Sequence, residues 1–297
     1  MEIAIIGLGE VGGYYSLGLC EGGASVRAYD RHVGEPEREA RFESLRQAGI
    51  RVYNQLQDAL DGAELVLAVT NAKGALDTAR AALPFLSPDM VYLELNSAVP
   101  SVKSEIAALL KGKVEIVDGT TMASVNLQRH KTPINLSGPK ADEVSQILNG
   151  FGMNTHVVGN AVGQASAIKI FRSIFMKGIE AVLMECMQVS QRYGITEEIL
   201  SSIEAFFAEK PMDDILRMLI TTDAIHSLRR AEEMEAIDRI LLDEGLENTM
   251  TAATIRKLHW ISSLGLKEKF QNCVPSSIAP VLEEIDRYEK ATKEVSI

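Results

Sequence analysis

A mainly parallel α/β sheet layer followed by an all-helical region is the architecture that the 297-residue sequence predicts. Three observations carry it. From Glu2 to about Gly159 short apolar runs alternate with amphipathic stretches, the pattern of strands and their covering helices. Beyond Asn160 strand-like runs nearly vanish and long helical periodicity takes over. The length, at roughly 100 to 200 residues per domain, implies about two domains.

Strands are expected at Ile3 to Ile6, Ser25 to Tyr29, Leu65 to Val69, Val91 to Leu95, Val114 to Val117, Ile134 to Leu136 and His156 to Val158. A first helix fits Tyr14 to Cys20. The stretch Ala161 to Tyr193 is apolar at Ile168, Phe171, Phe175, Val182 and Cys186, and on its other side at Ile170, Ile174 and Val189, which predicts a long helix buried all round. Gly194, Gly245 and Gly265 stop helical patterns, so further helices are expected from Thr196, from about Pro211 to Glu244 and from Asn248 to Leu264. No Pro-rich or Ser-rich linker intervenes. The domains are therefore expected at 1–160 and 161–297, with the long helix as their connection.

Charge and cysteine usage narrow the function. Thirty basic against forty-one acidic residues give a net charge of -11, a field that repels nucleic acid and anionic membranes. No apolar run approaches the ~18 residues of a membrane span. Cys20, Cys186 and Cys273 are dispersed, with no CxxC pair, which argues against a disulfide framework and a structural zinc site. The opening MEIAIIGLG has neither the basic nor the long apolar region of a signal peptide, so a cytoplasmic chain is expected. HExxH and GxSxG are missing, leaving metal catalysis and a Ser-His-Asp triad without support.

Residues 7 to 12 read GLGEVG, after a predicted strand and before a predicted helix. In that context Gly7 permits a tight turn, Gly9 lets backbone approach a pyrophosphate, and Gly12 lets helix and strand pack closely. With Leu8, Glu10 and Val11 they form a candidate dinucleotide loop whose amides would hold the anion at the helix N-terminus. Asp30 ends the next strand, close to the ~20-residue offset at which a carboxylate meets the adenosine ribose. The first domain thus reads as a Rossmann domain for NAD or NADP. Asp30 leans the choice to NAD, whereas Arg31 beside it would pair with a 2'-phosphate.

Further motifs stand in order: ELNSAVP at Glu94 to Pro100, DGTTMAS at Asp118 to Ser124, and GQASAIKIFRS at Gly163 to Ser173. Together with GLGEVG this order resembles the β-hydroxyacid dehydrogenase family, which includes 3-hydroxyisobutyrate and 6-phosphogluconate dehydrogenases. The resemblance puts Ser97 where the family has a cofactor-contacting Thr, Met122, Ala123 and Ser124 in the substrate segment, and Lys169 at the catalytic lysine. Val69, Thr70, Asn71 and Asn96 complete the candidate cofactor residues. Two departures stand out: Met122 replaces the family's substrate-binding Ser, and Arg172 and Ser173 replace two Asn after the lysine. ASAIKIFRSIFMKG and RRAEEM resemble a branch of bacterial phosphogluconate dehydrogenase-like proteins with their own helical C-terminal domain. The resemblance also implies a homodimer made by the helical domain and an active cleft between domains.

Lys169 falls on the helix expected to be buried, where a desolvated amine can give and take a proton. Ser173, four residues on, shares its face. In HSLRRAEE, His226, Arg229, Arg230 and Glu233 share a helical face with Ile237 and Ile240. An inward Arg230 would hold a substrate carboxylate or phosphate through paired hydrogen bonds, although an Arg-Glu network explains the cluster equally well. The expected reaction is hydride exchange between a nicotinamide cofactor and a small β-hydroxy acid or its oxo form. Oxidative decarboxylation of a phosphorylated sugar acid is the alternative enzyme. A non-catalytic NAD(H)-sensing module is the alternative class, which Lys169 disfavours because a sensor needs no such amine.

Overall fold

A computed structural model describes residues 1–295. Eight strands form one sheet: β1 Glu2–Ile6, β2 Ser25–Tyr29, β3 Arg51–Tyr53, β4 Leu65–Ala68, β5 Val91–Glu94, β6 Glu115–Thr121, β7 Ile134–Ser137 and β8 Thr155–Gly159. Their spatial order is β3-β2-β1-β4-β5-β6-β7-β8, parallel throughout except for the antiparallel pair β6–β7. The helices among the described residues are α1 Glu10–Glu21, α2 Pro36–Gln47, α3 Leu56–Leu60, α4 Ala75–Ala82, α5 Pro100–Leu110, α6 Val125–Gln128, α7 Ala141–Gly150, α8 Gln164–Tyr193, α9 Thr196–Ala208, α10 Met212–Asp243, α11 Thr249–Ser263, α12 Leu266–Lys269 and α13 Ala279–Val295.

Seven of the strands lie where the apolar runs put them. The eighth, β3, is the edge strand RVY, whose short, half-exposed sequence carries no apolar run to read. The central strands are buried on both faces, as in a sheet covered by helices on each side. Ile3, Ile5, Leu67, Leu93 and Val117 pack with Tyr15 and Leu19 on one face. Ala4, Ile6, Val66, Ala68 and Tyr92 pack with Ala79, Ile106 and Leu110 on the other. Alternate residues of one strand thus serve two cores.

The chain divides into two compact units, the first Met1–Ile174 and the second from Phe175 onward. The division falls inside α8, later than the expected 160, because the first turns of that helix are held by sheet residues. In the second unit α10 runs beside α11, and a small core gathers Ala224, Leu266 and Val281.

The burial expected of the long helix is not found in this chain. Phe171 is 60% exposed and Ile174 75%, and Phe175, Val182 and Met184 are exposed too. Apolar periodicity reports that a face avoids water, not which surface covers it. The inward face of α10 also differs from expectation. Ile215, Thr221, Ala224, Ile225, Ser227, Ala231 and Leu241 are its buried positions, whereas Arg229, Glu233, Ile237 and Ile240 are exposed. The packed face thus mixes large aliphatic residues with small ones, and it is rotated away from the Arg229, Glu233, Ile237 and Ile240 stripe.

Candidate functional site

The glycine loop starts where β1 ends. Gly7 takes φ 101°, donates its amide to the Tyr29 carbonyl at 2.7 Å, and has no room for a side chain, since a Cβ would stand 2.5 Å from the Val69 carbonyl oxygen. A Cβ on Gly12 would meet the Gly7 carbonyl oxygen at 1.9 Å, so α1 packs against the loop only as glycine. Gly9 differs: nothing lies within 4 Å of its added Cβ. It faces open space at the start of α1, whose first amides have no side-chain cap. Free amides around an open glycine at a helix N-terminus suit a phosphate.

That space belongs to a cavity of about 440 Å³ lined by Gly7, Gly9, Asp30, Arg31, His32, Arg38, Val69, Thr70, Asn71 and neighbours. It gathers Gly7, Gly9, Asp30, Arg31, Val69, Thr70 and Asn71 of the expected cofactor set, but not Asn96 or Ser97, at the carboxyl ends of β1, β2 and β4 where the strand order reverses. Thr70 Oγ1 lies 3.3 Å from Thr78 Oγ1, and Asn71 Oδ1 accepts the Gly74 amide at 2.8 Å. Asp30 lines this cavity with a carboxylate that is already partly engaged. It is buried, and its two oxygens accept the Leu8 amide at 2.8 Å and the His32 amide at 2.9 Å, tying the glycine loop to the end of β2. At the rim Arg31 Nε donates to His32 Nε2 at 3.0 Å, and Glu35 contacts His32 at 2.6 Å and Arg38 at 3.4 Å.

A second cluster forms beyond β5. Lys169 Nζ donates to Ser97 Oγ at 3.1 Å, joining residues 72 apart in sequence. Lys169 is half-buried rather than enclosed, because α8 leaves one side open at this turn. Burial, then the Arg172 guanidinium, then the Lys103 ammonium hold its amine below the usual lysine range. Arg172 Nη2 donates to the Met122 carbonyl at 3.2 Å, which brings the Met122–Ser124 turn alongside the same stretch of α8. Ser173 donates its hydroxyl back to the Lys169 carbonyl at 3.1 Å. Within DGTTMAS, Asp118 to Thr121 finish β6, and Thr121 meets the buried Tyr15 hydroxyl at 3.0 Å. That burial pushes the Tyr15 phenol up to about 12.

Asn96 is fixed by a neighbour that the sequence reading passed over. Its amide and side-chain Nδ2 donate to the Glu94 carboxylate, at 3.0 and 2.6 Å, and Lys103, 0% exposed, lies 3.2 Å from the same group. Burial pushes the Glu94 carboxyl up while Lys103 and Asn96 pull it back down. The only sequence signal for Lys103 is its place beside Ile106 and Leu110 on the buried face of α5, where an apolar residue is ordinary.

Arg230 lies in the second unit. Its Nη1 donates to Asp223 at 3.1 Å and its Nη2 to Thr222 Oγ1 at 2.8 Å, at the edge of an apolar cavity of about 580 Å³ that includes Leu219, Ile220, Leu258 and Ile261. Burial raises the Asp223 carboxyl, and Arg230 opposes that. Arg229 pairs with Glu233 on the exposed side.

Residues 2–159 match the model of the NAD binding domain of 6-phosphogluconate dehydrogenase. The chain belongs to this β-hydroxyacid dehydrogenase-like family. Residues 190–261 match a domain of unknown function, DUF1932. A conserved hypothetical protein from Sinorhizobium meliloti is 31% identical, with 87% of each chain covered and a TM-score of 0.64. The conserved protein MTH1747, of unknown function and described as similar in structure to 3-hydroxyacid dehydrogenases, is 27% identical over 92% of this chain and 100% of its own, with a TM-score of 0.63. An imine reductase variant from Myxococcus stipitatus, in complex with NAD+, shares the fold at 17% identity, covering 89% and 94% of the two chains with a TM-score of 0.75. Family and fold support an NAD(P)-dependent oxidoreductase. Among the described residues no helix is long and apolar enough to cross a membrane.

Proposed function

We propose that this chain exchanges a hydride between NADP(H) and a small anionic β-hydroxy acid or its oxo form, with Lys169 as the proton-exchanging group. The observation that carries the reading is Lys169 itself: an amine held below its ordinary range, 3.1 Å from Ser97 in the loop after β5, whose neighbour Asn96 lies 3.4 Å from Thr70 of the glycine-loop cavity. A nicotinamide dinucleotide bound at the loop would supply the hydride chemistry. Gly7, Gly9 and Gly12 with the α1 amides would hold its pyrophosphate, and Thr70, Asn71 and Ser97 would line its course.

Lys169 would take the hydroxyl proton as an alcohol is oxidised and return it to the carbonyl oxygen in the reverse direction. An amine lowered from its ordinary range gives up its proton more readily, which suits a group that must both take and return one. Ser97 orients that amine through its hydroxyl. Arg172, one turn along and anchored on Met122, is the substrate's anion contact, a local positive charge in a chain of net charge -11. Ser124, with Met122 and Ala123, shapes the adjoining wall. Arg230 is already paired with Asp223 and Thr222, so we assign it to its own helical network.

We favour NADP over the NAD that Asp30 suggests in the sequence. The carboxylate is committed to backbone amides, while Arg31, His32 and Arg38 stand on the cavity rim where a 2'-phosphate finds opposite charge. A panel of small hydroxy acids, phosphorylated ones included, assayed with both cofactors tests the whole reading. Lys169→Ala is expected to lower kcat by about 10² to 10⁴ on the accepted substrate, with NADPH affinity unchanged. Full turnover by that variant would overturn the proton assignment. Tighter binding of NADH than NADPH would overturn the cofactor assignment.

A further inference from the structure

The buried face of α5 carries Lys103, Ile106 and Leu110, so a lysine occupies a position built for an aliphatic side chain. Its ammonium meets four oxygens: the Glu94 carbonyl at 2.8 Å, the Gly119 carbonyl at 3.2 Å, Glu94 Oε2 at 3.2 Å and Asp118 Oδ1 at 3.1 Å. All three ionisable side chains are 0% exposed. Buried ion groups of this kind gain little stability over apolar packing, because desolvation offsets their attraction. What such a group can supply is fixed geometry.

Each carboxylate reaches onward. Glu94 accepts the Asn96 amide and Nδ2, which fixes the loop leaving β5 one residue before Ser97. Asp118 uses its other oxygen on the Gly163 amide at 3.1 Å, the Ser166 amide at 2.9 Å and the Ser137 hydroxyl at 3.4 Å, which fixes the first turn of α8. A carboxylate is well placed at that helix end. Lys169 follows one turn later.

We propose that Lys103 is a positioning residue for the Ser97–Lys169 pair, its ammonium tying the loop that carries Ser97 to the helix start that carries Lys169. The proposal rests on the reading of Lys169 as the proton-exchanging group. Electrostatics follow from the same geometry. The groups around the Lys169 amine are Ser97 from the β5–α5 loop, Arg172 from α8 and Lys103 from α5, with Glu94 of β5 and Asp118 of β6 behind Lys103. Removing the Lys103 charge exposes Lys169 to two unneutralised carboxylates; removing the Glu94 charge leaves it facing more net positive charge.

Competitive acetylation of the full chain with acetic anhydride between pH 7 and 11, followed by mass spectrometry of the Lys169 peptide, reads that amine directly. For Lys103→Met the titration midpoint is expected to rise and the labelling rate at pH 8 to fall about tenfold. For Glu94→Gln the midpoint is expected to fall and labelling to quicken. Lys103→Arg, which keeps the charge, is expected to return the midpoint toward wild type, and NADPH affinity is expected to stay within about threefold in each variant. A purely packing role would leave every midpoint in place, so a folded Lys103→Met with the wild-type midpoint overturns the proposal. Should Lys103→Met fail to fold, the near-isosteric Glu94→Gln decides: a downward shift supports it and no shift overturns it. The label reports the amine whether or not it exchanges a substrate proton. Retained turnover in Lys169→Met would therefore sink the reading of function and leave the labelling result standing.

Discussion

The two units of this chain solve burial in opposite ways. In the first, both faces of the sheet are covered, and Ile3, Ile5, Leu67, Tyr92 and Leu93 are excluded from water. In the second, the enclosed core is a handful of residues around Ala224, Leu266 and Val281, and Leu219, Ile220, Leu228, Ile237, Ile240 and Leu242 on α10 remain exposed. The first unit removes far more apolar area from water than the second. The glycine loop and the three buried ionisable groups Glu94, Lys103 and Asp118 are both set in the sheet unit.

Core truncation is the strongest way to break this contrast. Leu67→Ala in β4, 0% exposed, is expected to cost about 2–5 kcal/mol in denaturant unfolding of the first unit. A loss below ~1 kcal/mol would mean that this core is far looser than its burial implies.

The second test concerns a cap. Glu185 of α8 accepts the Met250 and Thr251 amides, both at 2.8 Å, at the start of α11. Burial pushes its carboxyl up, but the hydrogen bonds from Thr251 and Met250 outweigh that and hold it below its usual 4.5. A group lowered in the folded state stabilises above its unfolded value and loses that contribution as pH falls through the folded one. Glu185→Ala is expected to cost about 1 kcal/mol at neutral pH, with the difference from wild type shrinking below pH 4.5. Thermal melts at pH 7 and pH 3.5 read both effects.

The smallest expected effect is on the open face. Leu228→Ser on α10 is expected to change unfolding free energy by no more than about 0.5 kcal/mol. Melts over a wide range of protein concentration sharpen the comparison. A larger loss that depends on concentration would show that a second copy covers this face, as the family resemblance implies.

Much of the first unit was legible because parallel strands write themselves as apolar runs, and because GLGEVG between strand and helix has few other uses. The edge strand RVY escaped, having almost no buried face to record. Lys169 was legible by motif, but its half-exposure was not, since a helix apolar all round looks the same in sequence whether covered or open. Arg172 and Ser173 registered only as departures from a pattern, until Arg172 was found bonded to the Met122 carbonyl. Lys103 left no signal beyond a charge at an aliphatic position.

Local order and spacing in the chain determined the alternation of strand and helix, the glycine turn and the helix stops, because each depends on backbone conformation and on neighbours within a few residues. Only the tertiary structure decided that the Asp30 carboxylate serves the glycine loop's own amides, that Ser97 meets Lys169, and that Lys103 lies between Glu94 and Asp118. Those contacts join residues far apart in sequence, and a polar side chain takes whichever partner the packing of distant elements brings within about 3 Å.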